Sequence, residues 1–342
     1  MKNAIVSIIT PSFNRGYIVD ETANSIFNQT YPYWEWIIVD DGSSDNSWEM
    51  LQQYAARDSR VKIFQRNRLP KGACTCRNIA VENSTGQYLI FLDTDDLLAS
   101  FCLEQRVKTF EEDPDNDFII FPMLLFKDTP SDLGLLWNIE NGVDDILRIL
   151  YGDPICQGTG ILWKKQAFID IGMWDESLAV WQDIDLHLRA MLKKLSFSKY
   201  MNLLPDIFLR ISEVSLSRTG YNSLLKLQSR IIVLDNALTI AAKEGSILRF
   251  KDGFRYMSIG IFMTTANKNA LKEAQNIEKL IKRYDLFSHK ERNILMVYFL
   301  FRKLRLYKIS FLKERMLKEI AHLASSPNSL LNKEKYNKKI NL

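Results

Sequence analysis

Cysteine is scarce, with four in 342 residues, too few for a disulfide-built scaffold. Histidine is scarcer, with only His187, His289 and His322, so Cys74-Thr75-Cys76 lacks the partners of a metal site and reads as ordinary reduced thiols. Long apolar runs are missing. The longest, Ile294–Phe301, has eight residues against the ~20 a spanning helix needs. The start MKNAIVSIITPSFN turns polar after one short apolar stretch, without the longer apolar region or small-residue cleavage site of a signal peptide. The expectation is a cytoplasmic, enzyme-sized protein. Wholesale disorder is excluded by 46% hydrophobic and 25% charged residues, an ordinary globular balance. The length suits about two domains.

The net charge of +4 is unevenly spread. Residues 281–342 hold 15 of the 45 Lys and Arg but only 5 of the 41 Asp and Glu. A basic appendage therefore sits on a mildly acidic body, and an anionic membrane, a nucleic acid or a polyanionic substrate would each suit that charge.

The first two hundred residues alternate between strand and helix patterns. Ala4–Ile9, Trp34–Val39, Val61–Gln65, Tyr88–Leu92 and Phe118–Phe126 read as buried strands. Helices are expected where Ile18, Thr22, Ile26 and Phe27 recur, over Asn46–Arg57 with an Asn46/Glu49 capping box, over Cys74–Glu82 and near Leu103–Glu111. Such alternation implies a parallel sheet covered on both faces, with ligands at the carboxyl ends of its strands. Those ends here are Thr10–Asn14, Asp40–Asp45 and Asp93–Asp96, polar and acidic together. From about Asn222 strand patterns stop. Leu224–Ala242, Leu271–Tyr284 and Lys303–Leu323 read as helices, and the lysine- and asparagine-rich Asn328–Leu342 as a frayed end.

Asp93-Thr94-Asp95-Asp96 places carboxylates two apart at a strand end, where they could share a hard divalent cation that also binds a diphosphate. An acidic turn of this kind is common by itself; the neighbouring Asp40-Asp41-Gly42-Ser43 loop gives it context. A carboxylate there can accept a hydrogen bond from a uracil N3–H, and Gly42 permits the tight turn. The same loop could equally serve as a helix N-cap turn, with Asp45 or Asn46 capping.

Together Val6–Asn14, Asp40–Asp45, Cys76-Arg77-Asn78, Asp93–Asp96, Gly172–Glu176 and Trp181-Gln182-Asp183 resemble family 2 glycosyltransferases, over roughly residues 4–215 in the family's order and spacing. The C-terminal third matches nothing in that family. The resemblance implies an α/β protein of the GT-A fold, with a mixed, mostly parallel sheet flanked by helices and a C-terminal all-helical region. The catalytic domain would span 1–218, a nucleotide-sugar half at about 1–98 and an acceptor half at about 99–218, followed by a helical region at 219–342 with a basic tail.

Carried over by position, Thr10, Pro11, Phe13 and Asn14 would cradle the nucleoside, Phe13 offering a stacking face where tyrosine is usual. Asp40 would contact uracil with Asp41 beside it, Arg77 would lie near the nucleotide, and Asp93 and Thr94 near the ribose and donor sugar. Asp95 would ligate Mn²⁺ or Mg²⁺, and Asp183 would be the general base. Trp163, Trp181, Gln182 and His187 would flank the acceptor, the tryptophans as sugar platforms, although both residue types are more often core. Two positions depart from the family: Gln182 replaces a frequent Glu, and Ser212 a frequent His.

The implied activity is inverting transfer of a sugar from a nucleotide-diphosphate donor, UDP-linked by expectation, to an acceptor hydroxyl in surface polysaccharide or glycoconjugate synthesis. The implied partners are that donor and a saccharide or lipid-linked saccharide, with no nucleic acid. A nucleotidyltransferase would show a glycine-rich loop after the first strand, whereas Thr10–Arg15 has no glycine. A phosphotransferase using Asp93 would normally carry its DxD after the first strand. An inactive nucleotide-sugar-binding scaffold is opposed by Asp40, Asp93, Asp95 and Asp183 occurring together. The apolar Asn293–Phe301 and the basic Arg302–Lys308 could contact the inner face of a membrane peripherally or pack on the catalytic domain.

Overall fold

The computed structural model describes residues 4–211, 220 and 222–323. Ser212 and Asn328–Leu342, singled out above, lie outside them.

The chain runs β1 (Val6–Ser12), α1 (Val19–Phe27), β2 (Trp34–Asp40), α2 (Ser47–Arg57), β3 (Val61–Gln65), α3 (Ala73–Glu82), β4 (Tyr88–Phe91), β5 (Leu97–Leu98), α4 (Cys102–Glu112), β6 (Phe118–Ile120), β7 (Met123–Phe126) and β8 (Leu135–Leu136). It continues through α5 (Asp145–Leu150), β9 (Ile161–Lys164), α6 (Lys165–Asp170), α7 (Gln182–Leu192), β10 (Phe197–Lys199) and β11 (Ile207–Arg210). The rest is helical: α8 (Leu224–Lys243), α9 (Lys251–Asn267), α10 (Leu271–Arg283), α11 (His289–Lys303) and α12 (Ser310–Leu323).

Seven strands form the main sheet in the order β10-β6-β9-β4-β1-β2-β3. β4, β1, β2 and β3 are parallel, and β9 runs antiparallel between β4 and β6. All seven residues of β2 are buried, as a strand flanked on both edges and covered on both faces must be. Its Trp36 ring stacks on Tyr54 of α2 at 5.9 Å, and Leu51 buries one turn earlier on the same helical stripe.

The order reverses between β1 and β4. Successive βα units run from β1 outward to β3, and the chain then returns to add β4 on the other side of β1. Loops at such a switch point diverge to opposite faces and leave a crevice at the strands' carboxyl ends. Ser12–Arg15 and Asp93–Asp96 flank that crevice.

The strand expected over Phe118–Phe126 is two strands. β6 belongs to the main sheet and β7 to a second, four-stranded sheet ordered β5-β11-β7-β8. The break falls at Phe121-Pro122, where proline cannot donate to a ladder. The helix expected over Lys303–Leu323 is also interrupted. Arg305 sits in the left-handed region at φ 58°, ending α11 before a short 3₁₀ turn at Leu306–Lys308 and the start of α12. The helix α9 had no counterpart in the sequence reading.

The helical region packs on the later half of the α/β body. Asn236 of α8 donates to Asp185 of α7 at 3.1 Å, Ser229 accepts the Ala179 N–H at 2.9 Å, and Arg249 pairs with Asp144 at 2.9 Å.

Candidate active site

One cavity of about 570 Å³ opens at the switch point. Residues from three strand ends line it: Pro11 and Ser12 at the end of β1 with Phe13 and Arg15 after it, Asp41 after β2, and Asp93–Asp96 after β4. Arg77 enters from the second turn of α3, Arg210 from the end of β11, and Gln182 from the start of α7. Carboxylates far apart in the chain thus meet on one rim, as the strand-end pattern implied.

Arginines hold this acidic group. Arg77 donates to Asp93 at 2.6 Å and lies 4.9 Å from the Trp174 ring centroid. Arg15 stands 3.8 Å from Asp95. The Arg210 backbone N–H donates to Asp96 at 3.1 Å, and its Nε donates to the Asp95 carbonyl at 3.1 Å. Burial raises the Asp95 carboxyl above its ordinary pKa, and the nearby Asp93 charge adds to the effect. Asp96 is pushed well above, by burial first and then by Asp95 and Asp93. The Ser12 hydroxyl and the Arg77 Nε are buried without a hydrogen-bond partner among the described residues. Such groups are costly to leave unmet, so both are suited to a polar ligand.

Asp183 stands in the first turn of α7, next to Gln182. Its Oδ1 accepts the Gly158 backbone N–H at 2.9 Å. Burial raises its pKa, the Arg77 charge opposes the rise, and Asp93 adds to it. A carboxylate raised in this way is a better proton acceptor near neutral pH.

A divalent cation is tested by the donor chemistry. Asp93 and Asp95 supply hard oxygen ligands whose mutual repulsion a cation would relieve. Among the described residues no three His, Cys, Asp or Glu side chains could hold a metal unaided. A cation held by this pair would need diphosphate oxygens and water to complete its shell, as Mg²⁺ accepts.

Several residues stand elsewhere than the sequence placed them. Asp40 does not line the cavity. Its carboxylate accepts the Gly42 and Ser43 N–H groups at 2.9 Å each, and the Ser43 hydroxyl, under its own loop. Asp41 is the one that lines the cavity, since adjacent side chains at a strand end point opposite ways. Gly42, at φ +83°, lets this loop turn. Asn46 forms no cap; Asp45 accepts the Ser47 and Gly16 N–H groups instead.

Thr10 is fully buried and accepts the Trp36 indole N–H at 2.9 Å. Asn14 accepts the Ser44 N–H at 2.8 Å and ties the first two loops together. Trp163 is a core residue, its ring 4.4 Å from Phe118. His187 is buried with Cys156 at 3.6 Å, and burial pushes its pKa down to about 3, so it is a neutral core histidine. Trp181 caps α7 from the left-handed region, half-buried and off the cavity lining. Phe13, Pro11, Arg77, Asp93, Thr94, Asp95 and Gln182 do line it. Sequence reasoning missed Ser12, Arg15, Trp137, Gln157 and Arg210 as lining residues. Cys74 and Cys76 are buried free thiols pushed up to about 12 by burial.

With the geometry in hand, comparison with known proteins gives a family. Residues 7–172 match the sequence model described as Glycosyl transferase family 2. Just under half of the chain thus matches a family 2 glycosyltransferase domain. TuaG of Bacillus subtilis strain 168, a glycosyltransferase named for teichuronic acid biosynthesis, is 39% identical over 110 residues, covering 32% of this chain and 42% of TuaG. WfgD of Escherichia coli, named as a UDP-Glc:alpha-D-GlcNAc-diphosphoundecaprenol beta-1,3-glucosyltransferase, is 36% identical over 107 residues, covering 31% of this chain and 41% of WfgD. The matched stretch thus spans about two fifths of each relative. The crystal structure of residues 1–349 of Staphylococcus aureus TarS superposes at a TM-score of 0.65 with 16% identity, covering 93% of this chain and 90% of that one. That likeness shows a shared fold, the GT-A architecture the motifs implied.

Proposed function

We propose that this protein is an inverting glycosyltransferase that moves a sugar from a UDP-linked donor to an acceptor hydroxyl in bacterial surface polysaccharide synthesis. The observation that carries the reading is the convergence of Asp41, Asp93, Asp95 and Arg77 on one cavity, with Asp183 next in the chain to the lining residue Gln182 and held by the Gly158 N–H.

Phe13 presents its ring as a stacking face for a base. The cavity arginines Arg15, Arg77 and Arg210 suit an anionic diphosphate. Asp183 takes the proton from the acceptor hydroxyl as it attacks the anomeric carbon, and the bond to the diphosphate breaks in the same displacement. One displacement inverts the centre, so an α-linked donor gives a β-linked product. Asp93 and Asp95 would hold a divalent cation, which when bound supplies Lewis-acid neutralisation of the departing diphosphate.

TuaG is named for teichuronic acid biosynthesis, and WfgD for an acceptor on diphosphoundecaprenol. Those names support a polysaccharide acceptor, lipid-linked in the stronger form of the proposal. The deciding experiment measures nucleotide release from UDP-, GDP- and dTDP-sugars with acceptor and Mn²⁺. Turnover restricted to a UDP-sugar, with product stereochemistry opposite to the donor, supports the reading; absence of transfer from every donor would overturn it.

A further inference from the structure

The corner where α11 gives way to α12 leaves large apolar side chains in solvent. Leu304 is 66% exposed, Ile309 51% and Phe311 69%. Val297 and Leu300 precede Leu304 by seven and four residues, so they extend the row along one face of α11, and both are more than half exposed. The left-handed Arg305 and the 3₁₀ turn keep Leu304, Ile309 and Phe311 within one bend of the chain. Exposed cations alternate with them along the chain: Lys303, Arg305 and Lys308 in the bend, then Lys313, Arg315 and Lys318 along α12, against the acids Glu314 and Glu319. Clustered exposed apolar side chains on a soluble surface mark an interaction site.

We infer that this corner docks on an anionic lipid bilayer. Its aliphatic and aromatic side chains enter the headgroup boundary while its lysines and arginines meet lipid phosphates. Charge complementarity selects the occupant. A polyanion such as nucleic acid would satisfy the cations and leave Leu304, Ile309 and Phe311 in water; a bilayer surface satisfies both. Among the described residues no helix is long and apolar enough to cross a membrane, so the contact is peripheral. The inference stands apart from the proposed reaction, because none of these residues lines the cavity.

The test uses the full chain and sedimentation with vesicles of phosphatidylcholine alone or with added phosphatidylglycerol, at low and high salt. The expected result is binding at least tenfold tighter to the anionic vesicles at low salt. The paired substitution Leu304→Glu/Phe311→Glu should lower that partitioning about tenfold. Lys303→Gln/Arg305→Gln/Lys308→Gln should remove most of the salt dependence. UDP affinity by calorimetry should be unchanged in both variants, which shows that the fold and the cavity are intact. Equal binding to the two vesicle types, or wild-type partitioning by Leu304→Glu/Phe311→Glu, would overturn the inference. So would a concentration-dependent dimer abolished by the same pair, which would assign the corner to a second copy of the chain.

Discussion

The Asp183 carboxylate accepts its hydrogen bond from the backbone of Gly158, 25 residues away. The proposed base is therefore oriented by main chain, not by another titrating side chain. Asp183→Asn keeps the shape and removes the basicity, so transfer should fall by about 10²–10⁴ while UDP binding by calorimetry is retained. Near-normal turnover by the purified variant would refute the assignment.

The same contact gives a pH prediction. Transfer needs Asp183 ionised, so rate should fall with acid through a pKa above the usual carboxylate value, in the direction burial pushes it. The Gly158 N–H opposes that rise. A Cβ at Gly158 would come within 3.1 Å of Asp183 Oδ1 and 3.2 Å of the Trp174 ring, forcing the contact apart. Gly158→Ala should move the acid limb to higher pH and lower kcat about tenfold, with donor KM little changed. A pH–rate profile matching wild type would show that the N–H does not tune the base.

Donor affinity should depend on two side chains in different ways. Lys71 Nζ, on an exposed side chain, sits 3.7 Å from the Phe13 ring centroid and covers one face of the ring. Phe13→Ala should weaken UDP about tenfold or more, since stacking a base on an aromatic ring is worth ~1–3 kcal/mol. Arg77→Lys removes the planar fork shared between Asp93 and Trp174 and should raise the UDP Kd about tenfold or more. Calorimetry on both variants checks this, and an unchanged Kd in either case removes that residue from the donor site.

How much of this was legible in the chain follows from geometry. A parallel sheet sends every strand's carboxyl end to one side, so Asp41, Asp93 and Asp95 could be placed together from strand patterns alone. Which of two adjacent carboxylates faces the cavity depends on the last residue of β2; strand patterns place Asp40 and Asp41 both at that end and do not separate them, and Asp41 is the one that lines the cavity. Trp137 was unreadable because it follows β8, a strand of only two residues in the second sheet. His187 and Trp163 were offered as acceptor contacts because composition cannot say which face of α7 or β9 turns inward. Burial decides that, and both are at 0% exposure.

Asp96 should trade stability against the site. Its folded pKa lies well above the unfolded value. The fold therefore bears the full penalty of its charge above that raised pKa and loses the penalty as pH falls through it. Asp96→Asn preserves an acceptor for the Arg210 N–H and removes a charge beside Asp93 and Asp95. At pH 8 it should stabilise the protein by about 1–2 kcal/mol, and the gain should shrink in acid. Equal Tm gains at pH 8 and pH 5 would show that charge is not the cause.

Arg106 and Asp206 form an ion pair with both side chains at 0% exposure, bonded at 2.7 and 2.9 Å. Arg106 also donates to the Thr159 carbonyl at 3.0 Å, in the same short turn that presents the Gly158 N–H to Asp183. The pair thus joins α4, the approach to β11 and the segment that orients the proposed base. Arg106→Met strands a buried carboxylate and should cost about 3–5 kcal/mol. Arg106→Met/Asp206→Leu should recover most of that in denaturant titrations, because two apolar side chains leave no charge unmet. The double variant still lacks the bond to Thr159, so it should fold near wild-type stability yet turn over several-fold more slowly, with unchanged UDP affinity. Full activity in the stable double variant would mean that the turn at Gly158 holds its position without Arg106.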